Sequence, residues 1–326
     1  MKITIKREQS KTGFGLPNVS NLRVAKTSNL FLMAALAIAF ASCNNDDEIA
    51  DSNSQLSNVA LDVTAGIAAE TPQSRVSGTT WQTGDAIGIF QLQVGTITAL
   101  NANSKYVNTT GSSFTPASAG ETIYFPIETT PTSDFIAYYP YNVAQADFVY
   151  PVNVTSQSNQ EAIDLLTADK VTGKDKNAPA VAFNFKHRLS KLELRLTAGN
   201  GIATSDLAGI VITVTSQRPR AAFDFNTGAL TPLGTAQAIT LKTAANGRTA
   251  EAIIIPAAAS TGRQLIFTLN NATNDIFVWN IPNDKVFNAG QKNIYDITIN
   301  RTSINVSSTI TDWVAGNGTG EAGSAE

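Results

Sequence analysis

The chain has 326 residues, 43% of them hydrophobic and 15% charged, with 23 basic and 26 acidic side chains, one His and one Cys. One Cys excludes a disulfide framework, and one His beside one Cys excludes the usual zinc sets. The formal charge of −3 gives no basic surface for a nucleic-acid partner.

The first predicted element is an export signal. Residues 1–29 carry Lys2, Lys6, Arg7, Lys11, Arg23 and Lys26 against the single acid Glu8. The apolar run Leu30–Phe40 follows, then Ala41, Ser42 and Cys43. A basic region, a short apolar region and a small-residue cleavage site make a signal peptide over residues 1–42. The apolar run is short of the roughly 20 residues that a spanning helix needs. A Cys directly after small residues resembles a lipobox, whose Cys is acylated and becomes the first residue of the mature protein. The alternative is a plain secretory signal followed by a stray Cys, although the only Cys of the chain falls at the cleavage point. The removed segment holds six of the 23 basic and one of the 26 acidic residues, leaving 17 against 25, or −8. That acidic balance strengthens the case against nucleic acid.

Cys43 is followed by Asn44-Asn45-Asp46-Asp47-Glu48. These acids read either as a solvated tether or as a signal that sends a lipoprotein to the outer face of the cell. Residues 44–58 are polar and read as a flexible linker. About 280 residues remain after the signal, which favours two domains. From Leu61 onward short runs rich in Val, Ile, Thr, Phe and Tyr are broken by Gly, Pro, Asn and Asp. Strands are predicted at Ala86–Leu92, Ser133–Tyr139, Lys191–Thr197, Gly209–Thr215, Ala250–Ile255, Gln264–Leu269, Ile276–Ile281 and Ile294–Asn300. Leu192-Glu193-Leu194-Arg195-Leu196 shows the period-two alternation of a half-buried strand. Only Asn159–Ala168 offers a short helix. The expected fold class is all-β: two β-sandwiches over residues 76–182 and 183–326, a linker and removable segment over 43–75, and an unstructured tail from about residue 316.

Chemistry is sparse. His187 lies among Phe183, Phe185 and Leu189, a setting that suits a structural hydrogen-bonder better than a base. No Gly-x-Ser-x-Gly elbow, phosphate loop or dinucleotide fingerprint occurs. Asp85, in Trp81-Gln82-Thr83-Gly84-Asp85, has ordinary turn chemistry before a strand. No catalytic residue, metal site or cofactor is expected, and the chain does not read as an enzyme.

Six motifs in order carry a resemblance. Arg75 is followed by Trp81-x-x-Gly84-Asp85-x-Ile87-Gly88-Ile89-Phe90 and by Ala137-Tyr138-Tyr139-Pro140-Tyr141. Phe183-x-Phe185-x-His187-Arg188-Leu189-Ser190-Lys191-Leu192 comes at mid-chain. Ile253-Ile254-Ile255-Pro256, Phe287-x-Ala289-Gly290-Gln291-Lys292-x-x-Tyr295 and Ile310-x-Asp312-Trp313 complete the set. Over roughly residues 60–315 the chain resembles the fimbrillin (Mfa-like) family, subunits and accessory proteins of surface pili of Gram-negative anaerobes. The resemblance implies export as a lipoprotein and two transthyretin-like sandwiches.

It also implies an assembly route. In the family an Arg-specific protease of the outer membrane cuts after an Arg in an early loop. The first strand leaves with the lipid, and a strand of the next subunit fills the groove. The matching bond here is Arg75–Val76, and Arg75 is the only basic residue between Cys43 and Lys105. Its neighbours are polar and turn-prone, hence accessible. The alternative is that Arg75 is an ordinary loop residue of a lipoprotein that is never cut. The strand removed would be Ser57–Ile67, with Val59, Leu61 and Val63 alternating, and the donor would come from residues 302–314. The implied partners are other fimbrillin subunits by strand addition, the protease, and the outer membrane through the lipid on Cys43. A reading from another class is a surface glycan-binding lipoprotein of a nutrient-uptake system. It would need aromatic rings exposed on one sheet face, whereas the aromatics here fall at alternating, core-like positions.

Overall fold

The structure, a computed structural model, describes residues 58–68, 80–127, 131–301, 303–312 and 321–325. The described residues all fall in one compact unit. Short β-branched and aromatic runs pair into strands because their side chains fit a pleated, half-buried surface. In chain order these are β1 (Asp62–Ile67), β2 (Ala86–Gln93), β3 (Ala99–Thr110), β4 (Ser113–Pro116), β5 (Ser133–Tyr139), β6 (Val149–Asn153), β7 (Leu166–Ala168), β8 (Val171–Lys174) and β9 (Ala180–His187). All but β6 form the first sheet, in the order β2-β3-β4-β1-β9-β7-β5-β8. β5 also pairs with β2, Gly88 against Tyr138 through Gln93 against Ser133. The layers of the first half are therefore one sheet closed on itself. Inside it lie Ile87, Ile89, Tyr106, Phe114, Phe135, Phe183 and Phe185 together with Leu61, Val63 and Ala65.

The second half continues with β10 (Ser190–Ala198), β11 (Val211–Gln217), β12 (Arg220–Asp224), β13 (Leu230–Leu233), β14 (Gln237–Thr240), β15 (Lys242–Thr243), β16 (Thr249–Ile254), β17 (Gln264–Thr268), β18 (Ile276–Asn280), β19 (Gln291–Asn300), β20 (Ser303–Asp312) and β21 (Glu321–Ala325). A six-stranded sheet, β15-β16-β10-β19-β20-β21, accompanies a four-stranded one, β14-β11-β17-β18. Leu192, Leu194, Ile212, Val214, Leu265, Phe267 and Ile297 share one core between them. Alternation explains this: β10 reads buried at Leu192, Leu194 and Leu196 and open at Arg195 and Thr197.

The halves interleave. β9 runs through the expected boundary at residues 182/183 and stays in the first sheet to His187; only Arg188 and Leu189 separate it from β10. β6 in turn leaves the first sheet and pairs with β12. Phe90, Tyr138, Tyr150 and Phe225 pack between the halves, with Tyr138 and Phe225 centroids 5.0 Å apart. β2 and β5 therefore bury both faces, Ile89 and Ala137 inward and Phe90 and Tyr138 toward the second half. The Tyr138 hydroxyl donates to Asn103 Oδ1 at 2.6 Å, and burial pushes it well above the usual phenol range. A Cβ on Gly88 would strike the Tyr138 ring and Asn103 Oδ1, so glycine is needed where β2 passes beneath that ring.

Two expectations change. The short helix expected at Asn159–Ala168 is a turn followed by β7, since Ile163 N and Asp164 N both bond Gln160 O. Leu166–Ala168 then pairs with Phe185–His187, and this tertiary ladder outweighs the weak local helix preference. In the tail expected to lack structure, Glu321–Ala325 forms β21 antiparallel to β20.

Candidate functional site: the seat of the first strand

β1 lies inside the first sheet, not at an edge. On one side it runs parallel to β9, from Asp62 against Ala180 to Ile67 against Phe185. The other side is a patchwork. Leu61 N bonds Ile123 O at 2.9 Å, Val63 and Thr64 pair with Phe114 and Ser113, and Ala65 N bonds Ser112 O at 2.8 Å. The inward row of Leu61, Val63 and Ala65 is at most 5% exposed. Burying a Leu or Val side chain is worth about 1.5–3 kcal/mol, so an empty seat would leave the first core open to water.

Trp81 closes the far end of this seat. Its Nε1 donates to Ala65 O at 2.9 Å. Its ring meets Phe114, Tyr139 and Phe185 edge to face at centroid distances of 5.2, 5.4 and 5.2 Å. The turn after it is built by Asp85, whose Oδ2 accepts from Gln82 N at 2.7 Å and whose Oδ1 accepts from the Tyr139 hydroxyl at 3.3 Å. Burial first, and the Asp85 charge second, push the Tyr139 hydroxyl up, so it stays a donor at neutral pH. Sequence pattern marks Trp81 as a large apolar anchor. Its bond to Ala65 O could not be read there, because it depends on β4 ending beside β1.

Below the Trp81 turn, a cleft of about 400 Å³ separates the halves, lined by Ile67, Trp81, Asp85, Tyr139, Gln160, Glu161, Asp164, His187, Lys191 and Glu251. His187 Nδ1 lies 2.9 Å from Asp164 Oδ2, with the His side chain 4% exposed. This ties the end of β9 to the loop before β7, the structural part foreseen for a lone His. Lys191 Nζ meets Glu251 Oε2 at 2.7 Å across β10 and β16. Among the described residues no cluster of His, Cys, Asp and Glu would hold a metal ion.

Cys43, Arg75 and Val76 lie outside the described residues. The structure does place the two ends of the segment that contains Arg75. Ala68 N bonds Phe185 O at 2.7 Å as β1 ends, and the chain resumes at Thr80 beside the cleft. Of the expected donor region, β20 pairs along its length with β19, from Gln291 against Asp312 to Asn300 against Ser303. Ile304 and Val306 are buried there, and Ser308, Thr309 and Ile310 are half-buried. Trp313 and Val314 lie outside the described residues. The Trp rings at 81 and 279 are packed into the cores, Trp279 at 6% exposure, which leaves neither on an open sheet face.

A family model described as fimbrillin-like matches residues 74–313. The candidate fimbrium subunit Fim1C of Bacteroides uniformis is 42% identical over 278 residues, covering 82% of this chain and 89% of that one. The crystal structure of a candidate cell adhesion protein from Bacteroides uniformis has a TM-score of 0.68 at 40% identity, covering 78% of this chain and 99% of its own. Another from Bacteroides ovatus shares the fold, with a TM-score of 0.61 at 22% identity over 80% of this chain and all of its own.

Proposed function

The chain belongs to the fimbrillin-like family, and on that premise we propose that it is a surface fimbrial subunit built by strand exchange. It is exported as a lipoprotein on Cys43 and carried to the outer membrane. An Arg-specific protease then cuts between Arg75 and Val76. β1 leaves together with the lipid, and the C-terminal segment of a neighbouring subunit takes its place. Adhesion is the outcome for the cell.

One observation carries this reading. β1 is an internal, buried strand, yet its only covalent link to the body is the segment of residues 69–79 that holds Arg75. One cut there leaves β1, and Cys43 before it, held by backbone bonds and apolar packing alone. The emptied seat presents a row of unpaired backbone groups and an open apolar core, the surface that an added strand completes.

The donor is the 302–314 segment. Ile304-Asn305-Val306-Ser307-Ser308-Thr309-Ile310 follows the pattern of Leu61-Asp62-Val63-Thr64-Ala65-Gly66-Ile67 at six of seven positions (large apolar, polar, Val, hydroxyl, small, then Ile), with Thr309 against Gly66 as the exception. Period-two burial makes such a match matter, since a slip of one residue would turn every apolar side chain outward.

Mass spectrometry of the mature protein from cells tests the route. A new N-terminus at Val76 in high-molecular-weight fractions, with acylated Cys43 in the precursor, is the expected result. Arg75→Gln should hold the protein as a lipidated monomer. SDS-resistant oligomers formed by that variant would rule out this cut as the trigger.

A further inference from the structure

The seat has a gauge that stays with the body when β1 goes. In a strand, the N–H and C=O of one residue point to the same side. Ala65 N reaches Ser112 O at 2.8 Å just beyond the end of β4. The return rung, to Ala65 O, comes from Trp81 Nε1 at 2.9 Å. A side chain has thus taken over a ladder position. Its ring is fixed by Phe114, Tyr139 and Phe185, so the donor waits at a set point along the seat. Ala65 is 1% exposed, in a core that also holds Phe114, Phe183 and Phe185. Overfilling such a core forces neighbours off their rotamers.

We infer that Trp81 is a specificity-determining residue of the strand seat. It fixes the register of the occupying strand through one carbonyl and admits only a small side chain at that position. This rests on the strand-exchange reading for its consequence, not for its geometry. Trp81 lies after Arg75–Val76, so it meets first β1 and then the incoming strand. In the matched register Ser308 takes the place of Ala65, with Ile304 and Val306 over Leu61 and Val63. The partner selected is a second copy of this chain, or a subunit with the same apolar-x-apolar-x-small pattern. A terminal strand with a large residue at the third inward position is refused.

Two arms test this on the full chain. The first uses the uncut protein. Ala65→Ser should melt within about 2 °C of the parent, and Ala65→Leu should melt about 3–10 °C lower. Ala65→Leu combined with Trp81→Ala should lose less than the two single changes added together. Trp81→Phe keeps a ring but removes the N–H, and should lower amide protection across residues 64–68 about tenfold. Full stability of Ala65→Leu, or unchanged protection in Trp81→Phe, overturns the gauge. The second arm adds Arg-specific protease and reads the SDS-resistant ladder. The parent and Ser308→Ala should form it. Ser308→Leu, first shown to melt like the parent before cutting, should lose it at least tenfold. A ladder of parental length from Ser308→Leu overturns the selection step. No ladder from the parent itself defeats the exchange reading instead, and the first arm then decides the role of Trp81 on its own.

Discussion

Each half pairs the strand that opens it in parallel with a strand near its close: β1 with β9, and β10 with β19. The two opening strands are tied in very differently. β10 follows β9 after two residues. It is paired over Lys191–Ala198 with β19 and over Ser190–Arg195 with β16. β1 has a full ladder only toward β9, and on its other side it borrows from a loop, a short strand and one indole N–H. The core beneath also differs. Aromatic rings make up a larger share of the core around β1 than of the core around β10, although aliphatic side chains are the majority in both. A shared pairing scheme thus holds β10 by ladders on both sides and β1 by a full ladder on one side only, the difference on which the proposed exchange of β1 rests. What separates them is connection and edge pairing, not hydrophobicity.

The largest effect comes from emptying the two inward rows. Leu61→Ala and Leu194→Ala should each cost the uncut protein about 2–5 kcal/mol in denaturant unfolding. If β1 is exchanged as proposed, Leu61→Ala should match the parent after protease treatment and assembly, and Leu194→Ala should stay weak. Equal penalties in the assembled form would erase the distinction between exchangeable and fixed strands.

Next come two glycines, one in each half. A Cβ at Gly88 would meet the Tyr138 ring, and one at Gly247, where φ is +67°, would run into the Leu207 carbonyl. Gly88→Ala should cost about 1–3 kcal/mol through ring displacement. Gly247→Ala should cost at least as much, since backbone cannot step aside as a side chain can. Thermal melts that rank Gly88→Ala as the worse change would show that the aromatic joint is stiffer than the second-half loop.

The smallest effect is electrostatic and belongs to β10. Glu193 on β10 lies 3.3 Å from Lys292 Nζ on β19 and 3.0 Å from Arg195 Nη2. Burial works against its charge, but Lys292 and Arg195 outweigh it and hold the carboxyl below its ordinary range. A lowered carboxylate stabilises the fold above its unfolded value of about 4.3 and stops doing so as pH falls through the lower folded value. Glu193→Gln should cost about 0.5–1 kcal/mol at pH 7 and nothing near pH 2. A penalty that persists in acid would mean that packing rather than charge is at work.

Much of this was legible in the residues. Alternation at Lys191–Thr197 and the β-rich runs at Ser133–Tyr139 and Gln264–Leu269 placed strands within a residue or two. The order of weak motifs was enough to indicate the family. In sequence Leu166–Ala168 reads as part of a helix, because a three-residue strand has no period of its own and exists only through its partners.

By itself the sequence determined the all-β class, the inward rows of the long strands, the lone Cys at a signal-like junction, and a single basic residue between Cys43 and Lys105. Those are local properties, fixed by side-chain period and composition. Only the tertiary structure decided that the first sheet closes through β2 and β5, that β6 crosses to β12, and that β1 sits internally. Each depends on which backbone edge remains free when another strand ends. It also decided that Trp81, an apolar anchor by pattern, supplies the rung to Ala65 that β4 does not reach.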